Sequence, residues 1–414
     1  MGVNILEGAF FRRFVEAQEA MAEAQETMAL SMSASIDVTD YREIQEIVRS
    51  GRAERYFAVG DQINVTWNPD GGETSYVMPW DVVDFGPVVD YMGRTQANAM
   101  WIQSHYALPG VQFSGNNAFY VPAADMPAGT YYFTMGNGWG THVVNGKIYE
   151  FTTTKAVPKN GQLVLGTASS NTSALPDTNP SNWRVRTYKT GIQTDPDEIL
   201  TLTEVESSSG TDLGTLSSST KYSTSGINNM QRAAYGYNRW AHSAMRQWLN
   251  SQGATGEWWE AQNPFDHRPD QLATMRGFMA GLPSEFLSII KPVRVTTVLN
   301  TVSDVDIGTS ENTIDRFFCA GLQQEYIAPQ LADVEGATWE YWKERLENVQ
   351  HAQGTTRPEH IRYSIENHAS AQNVRLRSAH RGTANDTWSV GASGRAGTSS
   401  ATGANRSAPA CVIY

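Results

Sequence analysis

Few side chains in this 414-residue chain could act as nucleophiles, acid–base groups or metal ligands. Its two cysteines are Cys319 and Cys411. Cys319 follows two phenylalanines, and Cys411 lies in an apolar run, Pro409 to Tyr414. Both read as buried structural thiols, because a nucleophilic thiolate needs a base or cation beside it. Two cysteines can make neither a disulfide framework nor, unaided, a tetrahedral zinc site. The eight histidines, at 105, 142, 242, 267, 351, 360, 368 and 380, show no metal-ligand spacing on a helix face. His242, in Trp-Ala-His-Ser, reads as a packed helix residue, and Asp266 to Asp270 as a salt-bridged loop. Glu257 and Glu260 flank Trp258 and Trp259, and tryptophan faces stack on sugars. Adjacent tryptophans, however, more often divide into one core ring and one half-buried ring. No phosphate-binding glycine loop with lysine, zinc-protease helix or Gly-x-Ser-x-Gly elbow occurs. The sequence therefore predicts no catalytic residues, no metal site, no cofactor and no enzymatic activity.

The segment that stands out is 371–414. It holds five arginines (375, 377, 381, 395 and 406), one acid (Asp386) and no lysine. The whole chain is at -12. That balance argues against a partner of duplex nucleic acid, which needs a cationic face. Between 378 and 407 there is almost no apolar periodicity, but the chain then ends in an apolar strand. Irregular stretches anchored at their ends tend to be ordered loops on a scaffold, and function concentrates in such loops.

The elements that must position this segment follow from patterning. Phe10, Phe14, Ala17, Met21, Ala24 and Met28 form a four-three seam, so residues 1–35 are expected to be a helix, either packed on its own domain, or for oligomerisation as a homotrimer, or for attachment to a larger assembly. Asp40 to Gly51 reads as a second helix, capped by Thr39 or Asp40 and stopped by Gly51. Residues 56–67 read as strand, turn and strand. From 74 to 205, short β runs (118–122, 129–135, 147–153, 162–166) between turn residues predict an antiparallel β-sandwich. Residues 206–227 read as a polar linker. After 228 come an amphipathic helix at 238–250, helical pieces at 270–281 and 284–290, and strands at 293–299, 315–321 and 409–414. No run of about 18 apolar residues exists to cross a membrane as a helix. The start, with Arg12 and Arg13 after its apolar residues, is not a signal peptide. Synthesis in the cytoplasm is expected.

A set of short motifs comes in order: Arg239-Trp240, Ser243 to Asn250, Gly277-Phe278, Leu282-Pro283, Asp315 to Phe318, Glu335-Gly336, Tyr341-Trp342, Leu376-Arg377-Ser378, Trp388-Ser-Val390, Gly394 and Ala408 to Cys411. In this order they resemble the C-terminal C-type-lectin-like domains of phage and prophage virion proteins, a fold shared with formylglycine-generating enzymes. The closest resemblance is to variable proteins diversified by retroelements. The resemblance covers 36–70 and 228–414. It implies an α+β chain with five parts: the N-terminal helix (1–35), the start of the lectin-like domain (36–73), the β-sandwich module (74–205), the linker (206–227) and the ligand-binding domain (228–414).

The resemblance also implies a virion-surface location, as a tail or head fibre, and contacts with other virion proteins. The expected ligand is a host-surface protein or glycan. Leu376, Arg377, Ser378, Trp388, Val390, Gly394, Arg406 and Pro409 to Ile413 would be scaffold. Arg375, His380, Arg381, Thr383, Asn385, Asp386, Ser389, Ser393, Arg395, Ser399 and Asn405 would be displayed for binding, with Trp388 the one aromatic among them. The copper-binding cysteine pair of the enzymatic relatives and the calcium motifs of sugar-binding lectins are missing. A structural fibre protein without ligand recognition is the alternative reading, and a formylglycine-generating type of enzyme a more distant one.

Overall fold

The computed structural model describes residues 40–114, 237–260, 262, 269–301, 304 and 307–414. Between 115 and 236 it describes 118–120, 125–135, 146–157, 162–166, 183–186, 188–189, 192–193, 198–199, 201 and 203–216. The expected helix of residues 1–35 lies outside these, as do 217–227 of the expected linker and Asp266, His267 and Arg268.

Helix α1 (Tyr41–Arg49) forms where expected. The Asp40 carboxylate accepts from the Arg42 N–H at 2.9 Å, and Gly51 takes φ +73°, the left-handed conformation that ends helices. Ile44 and Val48 are buried, and Tyr41 packs against Phe286 at 5.4 Å. Each such aliphatic contributes roughly 1.5–3 kcal/mol by leaving water. The expected first strand at Tyr56 is instead the last residue of a helical turn, Ala53–Tyr56. Strand β1 (Gln62–Trp67) then alternates strictly, with Ile63, Val65 and Trp67 inward.

Strand β1 pairs with β2 (Tyr76–Phe85), and β2 with β3 (Met100–Ser104). Helix α2 (Ala244–Leu249) starts at Ser243, whose hydroxyl accepts from the Arg246 N–H at 3.1 Å. That cap splits the expected 238–250 helix into a 3-10 turn and a short α-helix. Helix α3 is Ser284–Ile289, and strands β4 (Val293–Val298) and β5 (Ser310–Asp315) form a hairpin. Strand β6 is the pair Phe318–Cys319, and helix α4 is Glu340–Arg345. Strands β7 (Val374–Ala379), β8 (Asp386–Val390) and β9 (Ala396–Ser400) form an antiparallel sheet of their own. Strand β10 (Pro409–Ile413) is wholly buried.

The central sheet has the order β1-β2-β3-β10-β6. The chain's last strand thus lies between an early strand and a middle one, all antiparallel. One large core is built on it, with Trp67, Trp80, Trp240, Trp248, Trp339 and Trp342 buried. The architecture is α+β, mostly sheet with few helices.

This pairing moves an expected boundary. Residues 76–104 supply two strands of the central sheet, so the inserted module begins after 114, not at 74. Its strands include Gly129–Met135, Ile148–Thr153 and Thr203–Val205, all antiparallel, but Thr211–Leu216 joins Gly129–Met135 in parallel. The module is therefore not purely antiparallel, and residues 211–216 of the expected linker are a strand of it. Phe113 and Ala244, on either side of the insertion, are in contact through a backbone hydrogen bond of 2.7 Å.

Candidate recognition face

The polar C-terminal segment is held by side chains that bind backbone. Strand β7 is buried along its whole length. Arg375 is 1% exposed and donates to the Thr387 hydroxyl, to Ser399 O at 3.2 Å, and to Ser400 O and Gly403 O at 2.9 Å each. Its guanidinium also lies over the Phe113 ring, 5.7 Å from the centroid. With no carboxylate in contact, burial lowers its pKa to about 10, and it remains a cation near neutrality. Arg377, equally buried, donates to Cys319 O, Thr296 O, Glu335 O and the Gln324 amide oxygen. Ser378 donates to the buried Glu335 carboxylate, which also accepts from Val298 N–H at 3.2 Å.

The 380–385 turn is bracketed from below. The buried Asn238 amide donates to His380 O (3.3 Å), Thr383 O (2.9 Å) and Asp386 O (2.8 Å). Asn300 in turn donates to Asn238 Oδ1 at 2.9 Å. The 391–395 turn needs glycine at 394: φ is +81°, and a Cβ there would stand 2.1 Å from Arg357 O. The 401–407 turn packs against 107–114, where a Cβ on Gly110 would stand 2.1 Å from Ala404 O.

The structure divides the twelve expected binding residues. Arg375, Asn385, Trp388 and Ser389 are buried, so four of them do not present their side chains to a ligand. Arg375 is inside because backbone carbonyls there need its donors. Trp388 donates its indole N–H to Gln330 at 3.1 Å and packs against His380 at 5.6 Å. Ser389 bonds Ser399 across the strands at 3.0 Å.

His380, Arg381, Thr383, Asp386, Ser399 and Asn405 are half-buried, and Ser393 and Arg395 are exposed. Those eight do not form one patch. The pairing Asp386↔Ser400 puts the 380–386 and 399–405 residues at one end of the small sheet. Ser393 and Arg395 lie beyond Val390, at the other end, roughly 13 Å away at about 3.3 Å per residue. At the first end the Asp386 carboxyl is raised by burial, which the His380 ring partly offsets. Asn405 Nδ2 is enclosed there without a hydrogen-bond partner among the described residues.

Residues 215–414 match a family described as a domain of unknown function, DUF6273. No curated protein and no solved structure matches the chain. The matched span holds all of the candidate face but only β6 and β10 of the central sheet.

The turn at the second end rests on 351–361: Gly354 N–H donates to Ala396 O at 2.8 Å and Arg395 Nε to Gly354 O at 3.1 Å. Beneath it, His351 and His360 meet through their Nδ1 atoms at 2.8 Å. Their Nε2 atoms reach Thr355 O (3.0 Å) and Glu325 O (2.9 Å). Two neutral rings carry two protons for these three contacts. A third proton would complete the set, but a hydrogen bond is worth about 1 kcal/mol while a buried ion costs several. Burial wins, and it pushes His360 down to about 3 and lowers His351.

Both thiols are buried, and burial raises Cys319 to about 12 and Cys411 well above the usual thiol range. Trp258 and Trp259 are both buried, so the expected half-buried partner is not seen. Among the described residues no three His, Cys, Asp or Glu side chains gather as a metal site, and no helix is long and apolar enough to cross a membrane.

Sequence reasoning missed a cavity of about 270 Å³ beside the central sheet. Its lining includes Asp84, Phe85, Trp101, Arg294, Gln324 and Trp339. These are scattered over 255 positions, so no local motif signals them.

Proposed function

We propose that this chain is a non-enzymatic binding protein of a phage or prophage virion surface, with a C-type-lectin-like domain that recognises a host-surface protein or glycan. The binding residues are His380, Arg381, Thr383, Asp386, Ser399 and Asn405, at one end of the β7-β8-β9 sheet. Ser393 and Arg395, at the opposite end, are a secondary contact at most. The observation that carries the reading is the way Arg375 and Asn238 fix the turns around that end through seven hydrogen bonds to backbone and one hydroxyl. A rigid mount lets small polar side chains bind without first losing conformational freedom. The resemblance of the ordered motifs to retroelement-diversified virion proteins supplies the setting. Other virion proteins would hold the N-terminal region, and repeated copies, a trimer among them, would raise a weak single-site affinity.

The test is adsorption of fluorescently labelled full chain to cells of the producing phage's host. Replacing His380, Thr383, Asp386 and Asn405 together with alanine should reduce retention at least tenfold with an unchanged circular dichroism spectrum. Unchanged retention would favour a fibre protein whose fold only stabilises the particle.

A further inference from the structure

The cavity beside the central sheet has the make-up of a binding site, and none of its lining residues belongs to the β7-β8-β9 turns. Its geometry begins with a bulge. The β2–β3 register shifts between Val82 and Asp84, and Asp84 then stands directly opposite Trp101. Residues opposed in this way share a face of the sheet, with Cβ atoms about 5 Å apart. Trp101 lies 6.2 Å from Trp339 at 45°, so the two indoles form an angled wall. Arg294 and Thr296, two apart on β4, line the cavity from another side.

The polar groups are left open in a particular way. Gln324 is 4% exposed, and its Oε1 is engaged by Gly321 N–H at 3.0 Å and by Arg377. Its Nε2 has no hydrogen-bond partner among the described residues, nor has the indole N–H of Trp339, which is 2% exposed. Neither donor is sealed from solvent, so each is open to an acceptor that enters the cavity. Asp84 offers the opposite function. Its carboxylate accepts from Phe85 N–H at 2.9 Å and forms no ion pair among the described residues; burial raises its pKa to about 6, with the Lys343 charge opposing.

An anionic ligand would meet the Asp84 carboxylate. A cationic one would meet the Arg294 guanidinium and the two amide and indole donors. A neutral ligand that both donates and accepts, and has a flat apolar face for the indoles, satisfies all of them. The volume of about 270 Å³ is near the lower end, roughly 300 Å³, of small-molecule sites. We propose that this cavity binds a single neutral sugar ring, stacked on the half-buried Trp101 indole that Trp339 backs, with its hydroxyls bridging Asp84 and the Gln324 amide. This site is independent of the proposed recognition turns, and either can fail without the other.

Saturation-transfer NMR on the full chain with D-glucose, D-galactose and N-acetyl-D-glucosamine, each at millimolar concentration, tests it. At least one sugar should receive saturation and should quench tryptophan fluorescence with the same midpoint. Asp84→Ala and Trp101→Leu should each weaken binding at least fivefold with the thermal midpoint within a few degrees of the parent. The His380, Thr383, Asp386 and Asn405 quadruple alanine variant should bind as the parent does. No transfer to any of the three sugars would overturn the proposal, as would transfer undiminished in Asp84→Ala. Binding of choline chloride in place of the sugars would overturn it too, by showing that Asp84 takes a cation. Should Trp101→Leu fail to fold, Asp84→Ala alone decides.

Discussion

Asp84 is placed where its charge is costly, and that gives stability a pH dependence of known sign. Its carboxyl titrates at 3.8 when free and at about 6 in the fold, chiefly because burial strips its water. The group is thus more easily protonated in the folded chain. Whatever stability the neutral form gives is fully present below pH 3.8 and lost as pH rises through 6. The shift corresponds to about 3 kcal/mol at roughly 1.4 kcal/mol per unit, and solvent screening at a half-buried position cuts this to about 1 kcal/mol. Asp84→Asn keeps the shape and the acceptor for Phe85 N–H. It should raise the thermal midpoint by a few degrees at pH 8 and leave it unchanged near pH 4. Melts of both proteins across that range check this; an equal shift at both ends would mean that charge is not the cause. His360 has the reverse character, since a buried neutral imidazole loses stability as pH falls through its unfolded value near 6.5.

At the level of elements, the β7-β8-β9 sheet is organised by a buried cation instead of an apolar stripe. Arg375→Met would take a donor from the carbonyls of Ser399, Ser400 and Gly403, of which Ser400 O keeps the Gly403 N–H at 2.9 Å. An unmet buried acceptor costs about 1–3 kcal/mol, partly offset by removing a buried charge, so a loss of about 2–4 kcal/mol is expected. Amide hydrogen exchange should accelerate in 399–405 well beyond other segments, and Arg375→Lys should not restore it, because an ammonium cannot span the fork. Uniform acceleration along the chain would contradict this role. The same feature explains what the sequence hid. Helix α1 was legible because its cap, buried stripe and terminal glycine are local signals. Strand β10 was legible because Ala410 to Ile413 is a continuous apolar run, as a strand buried on both faces requires. Strands β8 and β9 were not, since Thr, Ser and Gly dominate them and no alternation marks a face. Arg375 read as displayed because arginine is rarely buried, and its partners are backbone carbonyls that no residue type announces. The bulge that pairs Asp84 with Trp101 is likewise a property of register, which sequence spacing does not carry.

For the whole molecule, the decisive fact is that the closing strand is an interior one. Strand β10 pairs with β3 through Ala410↔Gln103, Cys411↔Ile102, Val412↔Trp101 and Ile413↔Met100. The span 215–414 alone would expose that edge together with the buried faces of Val412 and Ile413. It would also lose Trp80, on which both Phe286 and Phe317 pack. Each large apolar side chain returned to water costs roughly 1.5–3 kcal/mol, and several such losses are comparable with the roughly 5–15 kcal/mol by which domains are stable. The fragment 215–414 should therefore be insoluble or unfolded when expressed by itself. By contrast, residues 40–114 joined to 237–414 by a short Gly-Ser linker keep every strand of the central sheet. The hydrogen bond between Ala244 N–H and Phe113 O shows that the two halves meet beside the cut. This shortened chain should be monodisperse and melt in one cooperative transition, read by circular dichroism and size-exclusion chromatography. A well-folded 215–414 fragment, or a 40–114/237–414 chain that does not fold, would mean that the structural unit has been drawn in the wrong place. Either outcome would also remove the frame on which both proposed sites depend, since β3 carries Trp101 and segment 107–114 supports the 401–407 turn.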